Sequence, residues 1–277
     1  VTAGDTALPG LDTRQIAAPT LAHALGVDRR VIFALLMREA LTRYGRHNIG
    51  FLWLFVEPMI FTVGVTALWT VTKSVHGSTI PITAFALTGY SSVLLWRNMP
   101  GRCINAVQPN LPLFFHRNVR LLDIFCARLL LEFMGATMSF LLLGVVFHLI
   151  GWMDLPDDLL EVVGGWCLLA WFGAALALFL GALSVRSELV EKLWHPLSYL
   201  VFPLSGAAFM VDALPVQAQG YVLLLPMVHG VEMVREGYFG GLAHAHDDPG
   251  YVVAVTLILT LGALLQIRAV AARVVIE

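Results

Sequence analysis

Lysine is nearly absent: Lys73 and Lys192 are the only two in 277 residues. No G-x-x-x-x-G-K-[ST] phosphate loop can therefore be written, and binding of ATP by such a loop is excluded. Charge of either sign is scarce. Asp, Glu, Lys and Arg make up 13% of the chain and hydrophobic residues 58%, against roughly 25% and 45–50% in ordinary globular domains. So little charge cannot cover a water-facing surface, and a soluble fold is excluded along with disorder, collagen and coiled coil. The net charge of −2 offers no bulk basic field to nucleic acid. Cys103, Cys126 and Cys167 lie too far apart in sequence for a zinc set or a disulfide framework. His244, His246 and Asp247 read as a solvated turn rather than a metal site, and H-E-x-x-H and G-x-S-x-G do not occur. No basic start followed by an apolar core and a cleavage site opens the sequence. The apolar runs are continuous, unlike the alternation of an outer-membrane barrel.

What is present is apolar sequence in span-sized pieces. A bilayer core of about 30 Å takes about 20 apolar helical residues. Six stretches approach that length, near 49–73, 80–96, 121–150, 162–185, 197–211 and 251–267. A shorter apolar stretch, 221–233, carries Pro226, His229 and Gly230. Broken backbone at membrane depth must be buried in protein or line water, so this piece reads as a re-entrant pair of half-helices. The expected fold is an all-α polytopic membrane protein. It has six transmembrane helices, an N-terminal amphipathic interface helix and a re-entrant helical hairpin between spans five and six. Residues 1–27, rich in Ala, Thr, Pro and Gly, read as a flexible tail before a single membrane domain, 28–277.

Cations orient the spans, because Arg and Lys gather on the cytoplasmic side. With both termini inside, only Lys73 and Arg235 fall outside, a split of 15 to 2 over the 17 cations. Asp28 reads as the cap of an interface helix over 28–47. Phe33, Met37, Ala40 and Tyr44 would share its apolar face, with Arg38, Glu39, Thr42 and Arg46 opposite. Arg38, Arg43 and Arg46 then form either a topology anchor or an entrance for an anionic lipid headgroup. Glu57-Pro58 places a carboxylate and a kink inside the first span, to be met by an Arg, a backbone group or cargo. His229, Glu232 and Arg235 are three apart and share one helical face. With Pro226, they either stabilise the half-helix or form a polar outer gate. On the gate reading, Glu232→Ala reduces transport while assembly survives.

Three groups of residues carry a resemblance. The first is Leu36-Met37-Arg38-Glu39, Arg43-Tyr44-Gly45, Gly50-Phe51-Leu52-Trp53 and Glu57-Pro58. The second is Arg117-Asn118-Val119-Arg120, Asp123, Ala127-Arg128 and Leu131-Glu132. The third is Pro226-Met227-Val228-His229, Glu232 and Arg235-Glu236. In this order the chain resembles a type-2 ABC-exporter permease of the subfamily that exports capsular polysaccharide. The family pattern often has Asn before the proline of the third group, where this chain has Leu225. The resemblance implies a half-transporter without a nucleotide site of its own. A second copy of the permease completes the channel, and two copies of a cytosolic ATP-binding subunit supply ATP and Mg chemistry. It implies a bacterial inner-membrane location, a lipid-linked anionic polysaccharide as cargo, and periplasmic and outer-membrane export proteins as further partners. Residues 98–120 become a coupling segment, with Arg102, Asn110, Phe114, Phe115, Arg117 and Arg120 meeting the ATPase. Spans one and two would line the channel, with Glu57, Tyr90, Trp96 and Arg97 as cargo contacts, and 213–240 is the re-entrant region. An exporter for O-antigen, a teichoic acid-like polymer, lipid or drug is the alternative within transport. An integral-membrane transferase or a scaffold subunit lies outside it.

Overall fold

The computed structural model describes residues 21–44, 48–72, 80–115, 119–242 and 245–274. Among these residues every regular element is helical. The α-helices are α1 (Leu21–Tyr44), α2 (Asn48–Thr72), α3 (Ile82–Ile104), α4 (Leu121–Leu149), α5 (Leu159–Ser184), α6 (Leu189–Val201), α7 (Val216–Val222), α8 (Pro226–Phe239) and α9 (Pro249–Val274). A 3-10 helix, Gln108–Phe115, joins α3 to α4.

Helix α3 is the centre of the bundle. Every residue from Ala84 to Trp96 is buried, and α2, α4, α5 and α8 all pack on it. Being enclosed by protein, it carries Thr88, Ser91 and Ser92 in the core without facing lipid. The helix also runs on through Arg97, Pro100 and Arg102 to Ile104, so the first part of the expected coupling segment, 98–120, is helical. Helix α5 lies against α3 at very short range. A Cβ on Gly173 would stand 2.7 Å from the Cα of Trp96, so only glycine allows this approach. The helix begins at Asp158, whose carboxylate accepts from the backbone N–H groups of Leu160 (2.8 Å) and Glu161 (3.1 Å).

Helices α4, α5 and α9 are each long and apolar enough to cross a membrane, and α2 contributes a shorter apolar stretch, Met59–Val71. Their outward faces are apolar, with Leu141, Val145, Leu257, Ile258 and Leu261 exposed, as a lipid solvent requires. The fifth stretch differs from expectation. Its helix, α6, runs over Leu189–Val201 and has 13 residues, about 20 Å at 1.5 Å per residue. That is short of the roughly 30 Å core. Pro203 and Gly206, the latter at φ +83°, turn the chain into irregular backbone before α7. Helices α7 and α8 are separated by the break Leu223–Leu225, and Pro226 opens α8 at a position where its missing N–H is tolerated.

Helix α1 starts at Leu21, so Asp28 sits inside it and does not cap it. Its faces are also rotated from those expected. Phe33 (62% exposed), Met37 and Leu41 form the outward stripe, whereas Leu36 and Ala40 are buried against α4. Glu39 and Arg43 lie on the inward side because α4 offers them charged partners. Arg46 and the side chains of Tyr44, Phe55 and Pro58 lie outside the described residues.

Candidate functional site

A cavity of about 530 Å³ lies between α2, α3, α4 and α6, with Arg43 of α1 also in its lining. Its polar wall comprises Arg43, Glu57, Tyr90, Arg97, Arg102 and Glu132, and its aromatic wall includes Phe61, Trp194, Tyr199 and Phe202. Polar side chains persist here because helix packing shields them from lipid and gathers them on one space.

Glu132 organises the charge. Its carboxylate accepts from Nη1 of Arg43 and from Nε of Arg102, at 2.8 Å for the latter. Arg128, one turn earlier on α4, ion-pairs with Glu39 of α1 at 3.0 Å. Its Nη1 also donates to the carbonyls of Arg102 (2.8 Å) and Asn105 (2.9 Å), which close the end of α3. Arg38 donates to Asn110 Oδ1 at 2.5 Å, and Asn110 Nδ2 donates to the Ala106 carbonyl at 2.8 Å. These bonds tie α1, the end of α3, the 3-10 helix and α4 into one polar layer.

Arg97 is held differently. Its Nε donates to the Ser198 carbonyl at 3.3 Å. Its guanidinium lies 4.6 Å from the Tyr199 ring centre and 5.6 Å from that of Phe202. Tyr90 meets Phe202 edge-on at 5.7 Å. Glu57 lines the cavity without an ion pair within 4 Å among the described residues; of the expected partners, an Arg, a backbone group or cargo, the arginine pair is not formed. Trp96 is not a cavity residue: it is buried against Phe172, with ring centres 6.1 Å apart.

The α8 stripe forms a second polar cluster, and its geometry is that of a brace. Arg235 is wholly buried, donating to the carbonyls of Gly206 (2.6 Å), Phe209 (2.6 Å) and Ala207 (2.7 Å) and stacking on Phe85 at 3.9 Å. Glu232 lies 3.9 Å from Arg235 and accepts from the backbone N–H groups of Val211 and His246, both at 3.4 Å. The Asp248 N–H donates to Nδ1 of His229, so Nε2 carries the hydrogen that is donated to the Leu223 carbonyl. The stripe thus satisfies backbone groups that the broken segment 205–211 and the 245–248 connection leave unpaired, as a lipid setting demands. His229, Glu232 and Arg235 do share one face as expected. They are buried and bonded, and Pro226 starts the helix that carries them.

The other expected site residues divide. Of the expected entrance residues, Arg38 donates to Asn110 and Arg43 to Glu132. Of the expected coupling residues, Arg102 bonds to Glu132 with its side chain still 37% exposed, Asn110 is buried, and Phe114 packs partly against the core. Arg120 is exposed, with Asp28 at 4.0 Å. The side chain of Phe115 and all of Arg117 lie outside the described residues. Leu111 is the exposed apolar residue of the 3-10 helix, and sequence reasoning passed over it. Trp194 lies before the expected fifth span, 197–211, whereas Ser198, Tyr199 and Phe202 lie within it, where the sequence does not say which side chains face the cavity. The alternation of exposed Leu189, Leu193, Leu197 and Leu200 with inward Trp194 and Ser198 carried the helical signal.

Residues 30–239 match the family described as ABC-2 type transporter. Over 239 residues the chain is 44% identical to the capsule polysaccharide export inner-membrane protein CtrC of Neisseria meningitidis serogroup B, covering 86% of this chain and 90% of that one. It is 43% identical over 249 residues to the capsule polysaccharide export inner-membrane protein BexB of Haemophilus influenzae, covering 90% and 94%. The polysialic acid transport protein KpsM of Escherichia coli is 26% identical over 235 residues, covering 84% and 90%.

Proposed function

The chain belongs to the ABC-2 type transporter family, and from that premise we propose that it is the membrane subunit of an ATP-driven exporter of capsular polysaccharide. The observation that carries this reading is the 44% identity to CtrC across most of both chains. The subunit hydrolyses nothing itself. Two copies of it form the channel, and two copies of a cytosolic ATPase, holding ATP and Mg, drive it. Six spans cross the inner membrane: α2, α3, α4, α5, α6 with the irregular segment after it, and α9. Helices α7 and α8 form the re-entrant hairpin. Both termini are cytoplasmic, which agrees with the clustering of Arg38, Arg43, Arg102, Arg120 and Arg128 at one end of the bundle.

The exposed part of the 3-10 helix, around Leu111, and Arg120 face the ATPase. The outward stripe of α1 lies in the inner leaflet interface. The cavity is the cytoplasmic half of the cargo path, since arginines and aromatic faces together suit an anionic sugar chain. Periplasmic and outer-membrane export proteins receive the cargo. The test is deletion of the gene in the source bacterium, with complementation. Loss of surface capsule, with polysaccharide retained inside the cell, is the expected result. Restoration should require both this chain and an ATPase carrying a Walker A motif. Normal surface capsule in the deletion strain would refute the reading.

A further inference from the structure

We infer that Arg97 with its Tyr199–Phe202 platform is an anion subsite that takes one carboxylate or phosphate group of the cargo. The inference deepens, and rests on, the reading of the cavity as the cargo path. Three arginines line the cavity, but they are not equivalent. Arg43 and Arg102 share the carboxylate of Glu132. Arg97 has no carboxylate within 4 Å among the described residues, and its hydrogen bond is the single one from Nε to the Ser198 carbonyl.

It therefore forms no ion pair among the described residues, although Glu57 lines the same cavity, and it stands in a helix bundle where a cation without a close counter-charge is unfavourable. The aromatic faces of Tyr199 and Phe202, at 4.6 and 5.6 Å, hold the plane of the guanidinium without cancelling its charge. The Nε bond fixes its rotation about that plane. Both terminal nitrogens remain available as a planar fork, the geometry that grips a carboxylate or phosphate bidentately. Tyr90 lines the same cavity and meets Phe202 edge-on. Tyr199 lines the cavity and is 68% exposed, so the platform is not sealed inside the bundle. A neutral sugar would find the stacking surface but no partner for the fork. The subsite therefore discriminates by charge.

The test uses the permease with its ATPase in nanodiscs of phosphatidylcholine, titrated calorimetrically with three probes. A sialic acid trimer carries carboxylates and no phosphate, dihexanoyl phosphatidic acid carries phosphate and no sugar, and maltotriose is neutral. The wild type should bind at least one anionic probe, and Arg97→Gln should weaken that binding tenfold or more. Maltotriose should behave alike with both proteins. The probe that responds identifies the source of the anion, the sugar chain or the lipid headgroup. Arg97→Lys keeps the charge but loses the fork, and a loss of threefold or more is expected. It also serves if the Gln variant fails to assemble. Equal binding of the anionic probes by wild type and variants, or no binding by the wild type, overturns the subsite. Ala136→Trp, which fills the cavity wall, separates the two ideas. If this variant still exports capsule, the cavity is not the path. If it blocks export while Arg97→Gln binds normally, the path stands and the subsite falls.

Discussion

Arg235 is the clearest case of a residue whose environment decides its role. A guanidinium with no exposure is tolerated because three backbone carbonyls, the face of Phe85 and the nearby Glu232 carboxylate replace its water. Arg235→Met removes those donors and leaves the carbonyls of 206, 207 and 209 unsatisfied. The expected loss is about 3–5 kcal/mol, read as a lowered thermal midpoint of the detergent-solubilised protein. Glu232→Ala should likewise lower the amount of folded protein, because it strands a buried cation. On the gate expectation transport is lost while assembly survives, and blotting of membranes distinguishes the two. Gly89 belongs to the same cluster. A Cβ there would stand 2.5 Å from the Ala207 carbonyl oxygen, so Gly89→Ala should cost about 1–3 kcal/mol by overpacking. An unchanged midpoint would show that the 205–211 segment yields freely.

At the scale of elements, the polar layer around Glu132 joins four pieces of chain that are distant in sequence. Arg43 comes from α1, Arg102 from α3 and Glu132 from α4, while Arg38 fastens the 3-10 helix to α1 through Asn110. A displacement of the 3-10 helix must therefore carry α1 with it or break a charged bond. A double-mutant cycle of Arg43→Ala and Glu132→Ala, scored by thermal unfolding, should be non-additive, with a coupling of about 1–3 kcal/mol. Arg38→Ala should speed proteolysis within α1 while leaving α9 protected, because it removes only the local tie. Equal proteolysis of both helices would mean that Arg38 acts on global stability instead. The sequence showed α1 as a helix with arginines on it. It could not show which side those arginines face, because the partners Glu132 of Arg43 and Asn110 of Arg38 lie elsewhere in the chain.

At the scale of the whole molecule, charge is sorted between the two ends of the bundle. Arginines gather where α1, the end of α3 and the start of α4 meet. The carboxylates of Asp154, Asp157 and Asp158 lie in the α4–α5 turn, whose backbone bonds to the carbonyls of Tyr238 and Gly237 in α8. If the arginine end is cytoplasmic, a membrane-impermeant maleimide should label Trp152→Cys in spheroplasts. It should reach Leu111→Cys only after permeabilisation. The background cysteines are replaced first, since Cys167 is exposed. The reverse pattern would invert the orientation. On the proposal that two copies form the channel, the exposed apolar stripe of α6 is a candidate contact between them. A thiol cross-link between two copies at a cysteine placed on that stripe would show that the path is shared.

The sequence by itself determined the membrane class, the helical content, the absence of a phosphate loop, and the extents of α2, α4 and α5 to within a few residues. These follow from composition and from apolar run length, which are local properties read against a bilayer of fixed thickness. Tyr90, Arg97 and Glu57, expected as cargo contacts, line one cavity in the structure. Only the tertiary structure decided that Trp96 turns into the core, that Arg102 bonds to Glu132 and Asn110 is buried, that α6 supplies the aromatic platform, and that the α8 stripe braces broken backbone. Each of those outcomes depends on which partner a side chain meets from a distant segment. A polar residue in a low-dielectric bundle goes wherever its charge or hydrogen bonds are satisfied, and the sequence around it does not name that place.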